Sequence, residues 1–326
     1  MIRLATIGTS AICDSFVRSA LLTKEFVLYS VYSRKQETGL NFANKYDCKK
    51  VYTSLLEMAA DPLVDAVYIA SPNSLHFEQS RIFLEAGKHV ICEKPITTKA
   101  EEYSRLKDLA DQKGVIYMEA IMSRLAPHHK DVHNAVAQIG KIKNARFIFY
   151  KRSTRLEALL RGEDVNIFNM ELHAGTLMDI GVYCVWAAID FLGMPKGISA
   201  TAEFYKTGAD SSGVALFDYG DFTAELLYSK FEESPLFSEI TGENGKVVIK
   251  GCCQYTDVYL NNNLVVGFVD RLEVMAGEAK RFADYILRYD DTVTDYDLLS
   301  KQCLQVHTCM DAIKKSAGIV YGKPEN

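Results

Sequence analysis

Little in this sequence is extreme, and each shortage closes off a class of protein. Charge of one sign is not in excess: 37 Lys+Arg stand against 42 Asp+Glu, a net charge of −5. That mild acidity, with no basic block, argues against nucleic acid as the main partner. No run of 18 apolar residues occurs, and mean hydropathy is −0.04, so no membrane span is expected. The opening Met1–Ile7 run is short and meets Gly8 at once, which does not fit a signal peptide. Eight cysteines are present, yet none forms C-x-x-C, and Cys252-Cys253 has no zinc-ligand spacing. A chain this long needs no disulfide staples. The thiols are read as free and buried, in a reducing, cytoplasmic compartment. No internal repeat, low-complexity tract or Gly/Ser-rich linker is visible.

What is present suits a folded protein. Hydrophobic residues make up 48% of 326, enough for a sizeable core. At about 150 residues per domain the length implies two domains. Up to about residue 120, short apolar runs alternate with amphipathic stretches. Ile2–Ile7, Phe26–Tyr32, Val64–Ala70, His89–Cys92 and Val115–Met118 read as buried parallel strands. Helical patterns at Ser74–Ala86 and Lys99–Gln112 lie between them. Strand and helix in alternation predict an α/β, doubly wound parallel sheet.

Beyond about Arg146 the pattern changes. Strands are expected at Ala145–Tyr150, Ile198–Tyr205, Val214–Tyr219, Phe222–Ser229 and Lys246–Ile249, and helices at Thr176–Phe191, Leu272–Arg288 and Asp297–Ser316. Asn244-Gly245 suggests a type I′ hairpin turn. This predicts an α+β domain with a mostly antiparallel sheet. The expected domains are 1–121 and 122–326, with the last helix able to pack back on the first domain.

The first strand runs into Gly8-Thr9-Ser10-Ala11-Ile12-Cys13, which opens a helix. Where a dinucleotide turn has three glycines, this one has Gly8, Ser10 and Cys13. The small residues keep a tight bend feasible, and a helix N-terminus can hold a phosphate. The second strand ends in Ser33-Arg34 with no acid. An acid there would bind the ribose 2′-hydroxyl of NAD; a guanidinium suits the 2′-phosphate of NADP. NADP is therefore expected over NAD.

Three further stretches carry a resemblance: Ala70-Ser71-Pro72-Asn73-Ser74-Leu75-His76, then Glu93-Lys94-Pro95, then Asp179-Ile180-Gly181-Val182-Tyr183. In this order the chain resembles the glucose–fructose oxidoreductase/inositol dehydrogenase (Gfo/Idh/MocA) family, nearest its dihydrodiol and sugar dehydrogenase branch. The likeness runs from Ile2 to about Ile319. It implies a Rossmann domain followed by an open, mostly antiparallel α/β domain. It implies catalytic roles for Lys94, Asp179 and Tyr183. It implies cofactor contacts at Gly8, Thr9, Ser10, Ala11 and Ile12, at Ser33 and Arg34, at Ser71, Asn73 and His76, and at Glu93 and Lys94. It further implies a homodimer or homotetramer formed through the second sheet. The chain departs from the family pattern at Tyr183, often His in relatives, at His173-Ala174-Gly175, and at Met122, where Trp is common. Met122, Arg124 and His173 are the expected substrate contacts.

These residue types suit hydride exchange with a secondary alcohol or carbonyl. The nicotinamide carries the redox change, and the protein must place substrate and handle a proton. Tyr is a weak base, with an ordinary pKa near 10, and a neighbouring ammonium favours phenolate. Lys94 is available for that part, or as the acid itself. Asp179 and Tyr183, four residues apart in a helical pattern, would share a face. Asp179 could then orient Lys94 or bind a substrate hydroxyl. The expected substrate is a small sugar, polyol or dihydrodiol-like molecule. Two other readings use the same scaffold. A non-catalytic NADP-binding regulator would have no need of Lys94, Asp179 and Tyr183. A reductase of a larger conjugated ligand would need an apolar pocket without polar anchors. His128, His129 and His133 are the most metal-like cluster, and His129 and His133, at i and i+4, could be a zinc pair, but no adjacent Glu base or third ligand for that pair lies near in sequence. They are read as the solvated start of a helix after Pro127, and no metal is expected.

Overall fold

The computed structural model describes residues 1–322, and the chain divides into two compact units. The first comprises Met1–Ile121 and Asp270–Lys301; the second comprises Met122–Val269 and the residues from Gln302 onward.

The first unit is built on six strands: β1 (Ile2–Ile7), β2 (Phe26–Tyr32), β3 (Lys50–Tyr52), β4 (Ala66–Ile69), β5 (His89–Glu93) and β6 (Tyr117–Ala120). They form one sheet in the order β3-β2-β1-β4-β5-β6, and every pairing is parallel. The central strands are apolar because both faces are covered: all four residues of β4 are buried. β3 has three residues, none of them buried, and gave no signal in the sequence. Asp270–Lys301 interrupts the continuous 122–326 domain expected from the sequence. Its helix Arg271–Leu287 packs on the helix Ala11–Leu22. Ser19 donates to the Leu272 carbonyl at 3.0 Å, and the rings of Phe26 and Phe282 lie parallel, 6.4 Å apart.

The second unit holds an eight-stranded sheet. In chain order its strands are β7 (Ile142–Tyr150), β8 (Gly197–Phe204), β9 (Asp210–Asp218), β10 (Thr223–Ser229), β11 (Ser238–Gly242), β12 (Gly245–Gly251), β13 (Thr256–Leu260) and β14 (Asn263–Val266). Their spatial order is β14-β13-β12-β11-β7-β10-β9-β8. Only β7 and β10 pair in parallel among these neighbours. The hairpin expected at Asn244-Gly245 exists but is shifted by one residue. Gly242 faces Gly245, so Glu243 and Asn244 make the connection, with positive φ at Gly245 and not at Asn244. The two-residue turn with both φ positive is Asn261-Asn262, between β13 and β14.

The stretch Met170–Leu192 is long and apolar enough to cross a membrane by length and composition, but 83% of its most apolar window is buried. It is a core element, and its helix Val182–Leu192 packs on β7 and β10. The single α-helix expected over Thr176–Phe191 is corrected here. It begins with a π turn, Leu177–Gly181, and becomes α-helical only from Val182. Such widened turns are rare and often mark functional sites.

Candidate active site

In the first unit the expected cofactor residues gather at the carboxyl ends of β1, β2, β4 and β5. This edge includes the β1/β4 point where strand order reverses, which is where α/β sheets bind ligands. Gly8 follows β1 with φ +112°, and a Cβ there would lie 2.8 Å from the Ala70 carbonyl oxygen. Only glycine fits. Ser10 is the N-cap of Ala11–Leu22 and makes no side-chain capping bond. The N–H groups of this first turn, among them Ala11 and Ile12, have no intrahelical acceptor. Cys13 replaces the last glycine of the turn. It is fully buried and its thiol donates to the Gly8 carbonyl at 3.1 Å, closing the bend. Burial pushes that thiol up to about 12, so it stays protonated.

At the end of β2, Ser33 Oγ accepts from the Lys35 amide at 3.4 Å. Arg34 is exposed and forms no ion pair among the described residues. After β4, the Ser71 hydroxyl donates to Gln79 Oε1 at 2.7 Å. His76 is fully buried, with one ring nitrogen 2.9 Å from the Pro95 carbonyl and the other 2.9 Å from that of Ser71. Burial lowers its pKa, against the pull of those two carbonyls. Its ring therefore ties the Ser71 loop to the Lys94-Pro95 corner and is not open to a ligand. The peptide joining Lys94 to Pro95 is cis. That corner is also held by Glu119 of β6, which accepts the Ile96 amide at 2.8 Å. Glu93 accepts the Tyr68 hydroxyl at 2.5 Å. Burial raises the Glu93 pKa, opposed by Lys94 and Tyr68. Glu278, 1% exposed, has no hydrogen-bond partner among the described residues, and burial, with Glu93 adding to it, raises its pKa well above the ordinary carboxylate value.

In the second unit, Asp179 lies in the π turn and Tyr183 in the first turn of the α-helix that follows. Tyr183 is 5% exposed, with its ring edge-on to Phe149 at 5.7 Å. The turn is shaped by side chains that the sequence did not single out. Asp210 of β9 accepts the Leu177 amide at 2.6 Å, and its carbonyl accepts the Thr176 hydroxyl at 2.7 Å. Burial pushes Asp210 up to about 6, opposed by those backbone donors. The cation beside Asp179 within its unit is Lys230, which donates to Asp179 Oδ2. A lysine one residue past an alternating strand reads as solvated, so only the fold reveals this pair. His173, in a left-handed conformation at φ 52°, stacks on Tyr321 at 5.7 Å.

Two expectations are corrected here. The histidines after Pro127 are not a solvated helix start. His129 Nε2 lies 2.8 Å, and His133 Nε2 3.2 Å, from the Asp190 carboxylate, whose side chain is 1% exposed. Asp190 follows these histidines by some 60 residues, which hid the third group. Arg124 was expected to meet substrate. It is buried instead, with Nε 3.5 Å from Asp190 and 2.8 Å from Gln302 Oε1. A carboxylate this deep must be paired, and Arg124 brings it a positive charge; the geometry of His129, His133 and Asp190 could also hold a metal ion. Met122 is buried beside it in the chain.

A parallel six-stranded sheet with a glycine turn and an acid-free β2 end, followed by a large mixed sheet, defines a two-part dinucleotide-dependent oxidoreductase scaffold. The chain belongs to the Gfo/Idh/MocA oxidoreductase family. Residues 2–121 match its "Oxidoreductase family, NAD-binding Rossmann fold" description, and residues 131–248 match its "GFO/IDH/MocA C-terminal domain". It is 35% identical to scyllo-inositol 2-dehydrogenase (NADP(+)) IolU of Bacillus subtilis, over 98% of each chain. It is 28% identical to trans-1,2-dihydrobenzene-1,2-diol dehydrogenase of Mus musculus, over 98% of this chain and 91% of that one. A solved structure of KijD10, a 3-ketoreductase from Actinomadura kijaniata in complex with NADP and TDP-benzene, shares the fold, with a TM-score of 0.82 at 24% identity over 99% of both chains.

Proposed function

We propose that this protein is an NADP(H)-dependent oxidoreductase that exchanges hydride between the nicotinamide and a secondary alcohol or carbonyl of a sugar, polyol or dihydrodiol-like substrate. The observation that carries the reading is the first unit's carboxyl edge, where the Gly8 turn, Ser33-Arg34 and Glu93-Lys94 end neighbouring or adjacent strands. The Gly8–Ile12 turn would hold the pyrophosphate, and Ser33 and Arg34 the 2′-phosphate. The cofactor when bound supplies the hydride chemistry. Tyr183 acts as proton donor and acceptor, or Lys94 is itself the acid, and Asp179 accepts a hydrogen bond from a substrate hydroxyl. The relatives named for scyllo-inositol and a dihydrodiol support this substrate class.

We further propose a cytoplasmic homodimer or homotetramer formed through the second unit's sheet. Support comes from Val214 and Leu216 of β9 and Phe204 of β8, which are 43%, 40% and 44% exposed.

The test is turnover of a panel of polyols, aldoses and their keto forms with NADP(H), by wild type, Tyr183→Phe and Lys94→Met. Positioned proton transfer is worth about 10²–10⁴-fold, so each variant is expected to lose at least a hundredfold in kcat, with NADPH binding by Tyr183→Phe unchanged. Full turnover by both variants would refute the assignment.

A further inference from the structure

Asp179 and Lys230 form an asymmetric pair. The carboxylate side chain is 36% exposed, whereas the lysine side chain behind it is 9% exposed. The lysine backbone is pinned from two sides. Its amide donates to the Ser211 carbonyl at 3.0 Å, and its own carbonyl accepts the Ser153 amide at 2.9 Å. Its ammonium lies 6.0 Å from the centre of the Phe168 ring, itself 1% exposed. Lysine is almost never buried without a partner. A buried ion pair is also poor value for stability, since well-packed apolar side chains serve as well or better. The placement has a different effect. It fixes the Asp179 carboxylate, 36% exposed, with a charge-assisted donor behind it.

We infer that Lys230 is a positioning residue for the reaction proposed above: it holds the Asp179 carboxylate in the orientation that accepts a hydrogen bond from a substrate hydroxyl. The inference rests on the reading of Asp179 as a substrate-facing group. It also calls for a hydroxyl on the ligand, because a fixed carboxylate is an acceptor only and does not bind a bare carbonyl.

The test compares wild type, Lys230→Met, Lys230→Arg, Asp179→Asn and the Lys230→Met/Asp179→Asn double variant. Each is assayed on the best polyol from the panel and titrated with NADPH. Methionine fills the space against Phe168, and the half-exposed Asp179 can turn to water, so Lys230→Met is expected to fold; its Tm is measured alongside. The expected result is a loss of about ten- to a hundredfold in kcat/KM for Lys230→Met, mostly in KM, with NADPH affinity within about twofold of wild type. Lys230→Arg restores most of the loss, since it keeps a donor and the charge. The double variant is no worse than Asp179→Asn, because both changes remove one arrangement. A purely structural lysine would lower Tm and leave KM alone. Wild-type kcat/KM in Lys230→Met, or losses that multiply in the double variant, would overturn the inference while leaving the proposed function standing. No turnover of any hydroxyl or carbonyl compound by wild type would instead overturn the function, and this inference with it.

Discussion

Replacing Arg34 by alanine tests the cofactor assignment at the one group that distinguishes the two dinucleotides. The guanidinium stands exposed just past β2 and forms no ion pair among the described residues. It therefore breaks no existing ion pair when it meets a phosphate. Its contribution is that of a charged hydrogen bond, about 1.5–3 kcal/mol. At about 1.4 kcal/mol per decade, this is roughly a ten- to hundredfold change in Kd. The assay is titration with NADPH and with NADH, followed by cofactor fluorescence. Arg34→Ala is expected to weaken NADPH by that factor and NADH by less than about twofold. Arg34→Lys keeps the charge but loses the planar fork, so it lies between. Exposure adds a second signature. Between 0.1 M and 1 M salt the screening length falls from about 10 to about 3 Å, so the wild-type preference for NADPH shrinks with salt, whereas Arg34→Ala has little preference left to lose. Equal weakening of both cofactors, or of neither, would show that Arg34 is a solvated loop charge and that the acid-free end of β2 has been misread.

Two further outcomes follow from the same geometry. Gly8→Ala forces an L side chain to φ +112° and a Cβ within 2.8 Å of the Ala70 carbonyl; strain of this kind costs about 1–3 kcal/mol, so both cofactors should weaken together, unlike Arg34→Ala, and an unchanged Kd for both would deny that the turn is a cradle. Acid should destabilise the second unit through the Asp190 cluster. Burial raises the Asp190 pKa, but the bonds from His129 and His133 outweigh it and the net direction is down. That stability is present above the ordinary carboxylate range and is lost as pH falls through the lowered value. His129 is lowered by burial, against Asp190. Its charged form is thus disfavoured on folding, and stability also falls as pH drops below about 6.5, the ordinary histidine value. Tm measured from pH 7 down to pH 4 should fall through His129, and Asp190→Asn should start lower, since Arg124 loses its buried partner at about 3–5 kcal/mol, and fall more steeply, because the carboxylate that raises the His129 pKa against burial is gone. A slope identical to wild type would place the acid sensitivity elsewhere.

The parts of the fold legible in the sequence are the apolar runs with sharp ends. β1 and β2 were placed to the residue because each is such a run, closed by Gly8 in one case and bracketed by Glu25 and Ser33 in the other. β3, β11, β13 and β14 gave no such signal. β3 is three residues long, and the others sit toward the β14 edge of a sheet where exposed and polar positions break the alternation. The cofactor edge was legible because its chemistry lies in contiguous turns: Gly8–Cys13, Ser33-Arg34 and Glu93-Lys94. The groups that sequence reasoning missed act across large separations. Asp190 collects Arg124, His129 and His133 from an earlier helical region, and Lys230 reaches back to Asp179 across 51 residues. No local pattern encodes a pairing whose two halves lie on different elements.

The same distinction separates the letters of the D-x-G-x-Y stretch. Asp179 and Tyr183 carry functional groups, but Gly181 is there for packing. A Cβ at Gly181 would come within 3.1 Å of the Tyr228 ring and of Leu177. Tyr228 is fully buried on β10, and its hydroxyl fills the space that a side chain at Gly213 of β9 would need. A side chain at Gly175 would in turn collide with the Asp210 carboxylate that anchors the Leu177 amide. The three glycines therefore let the helix start lie against β9 and β10, where Asp210 holds its first amide. The π turn sits at that contact and carries Asp179 to the Lys230 ammonium at the end of β10. A helix of ordinary pitch with alanine at 181 would keep both functional groups in the sequence and lose the packing that sets the carboxylate against its lysine.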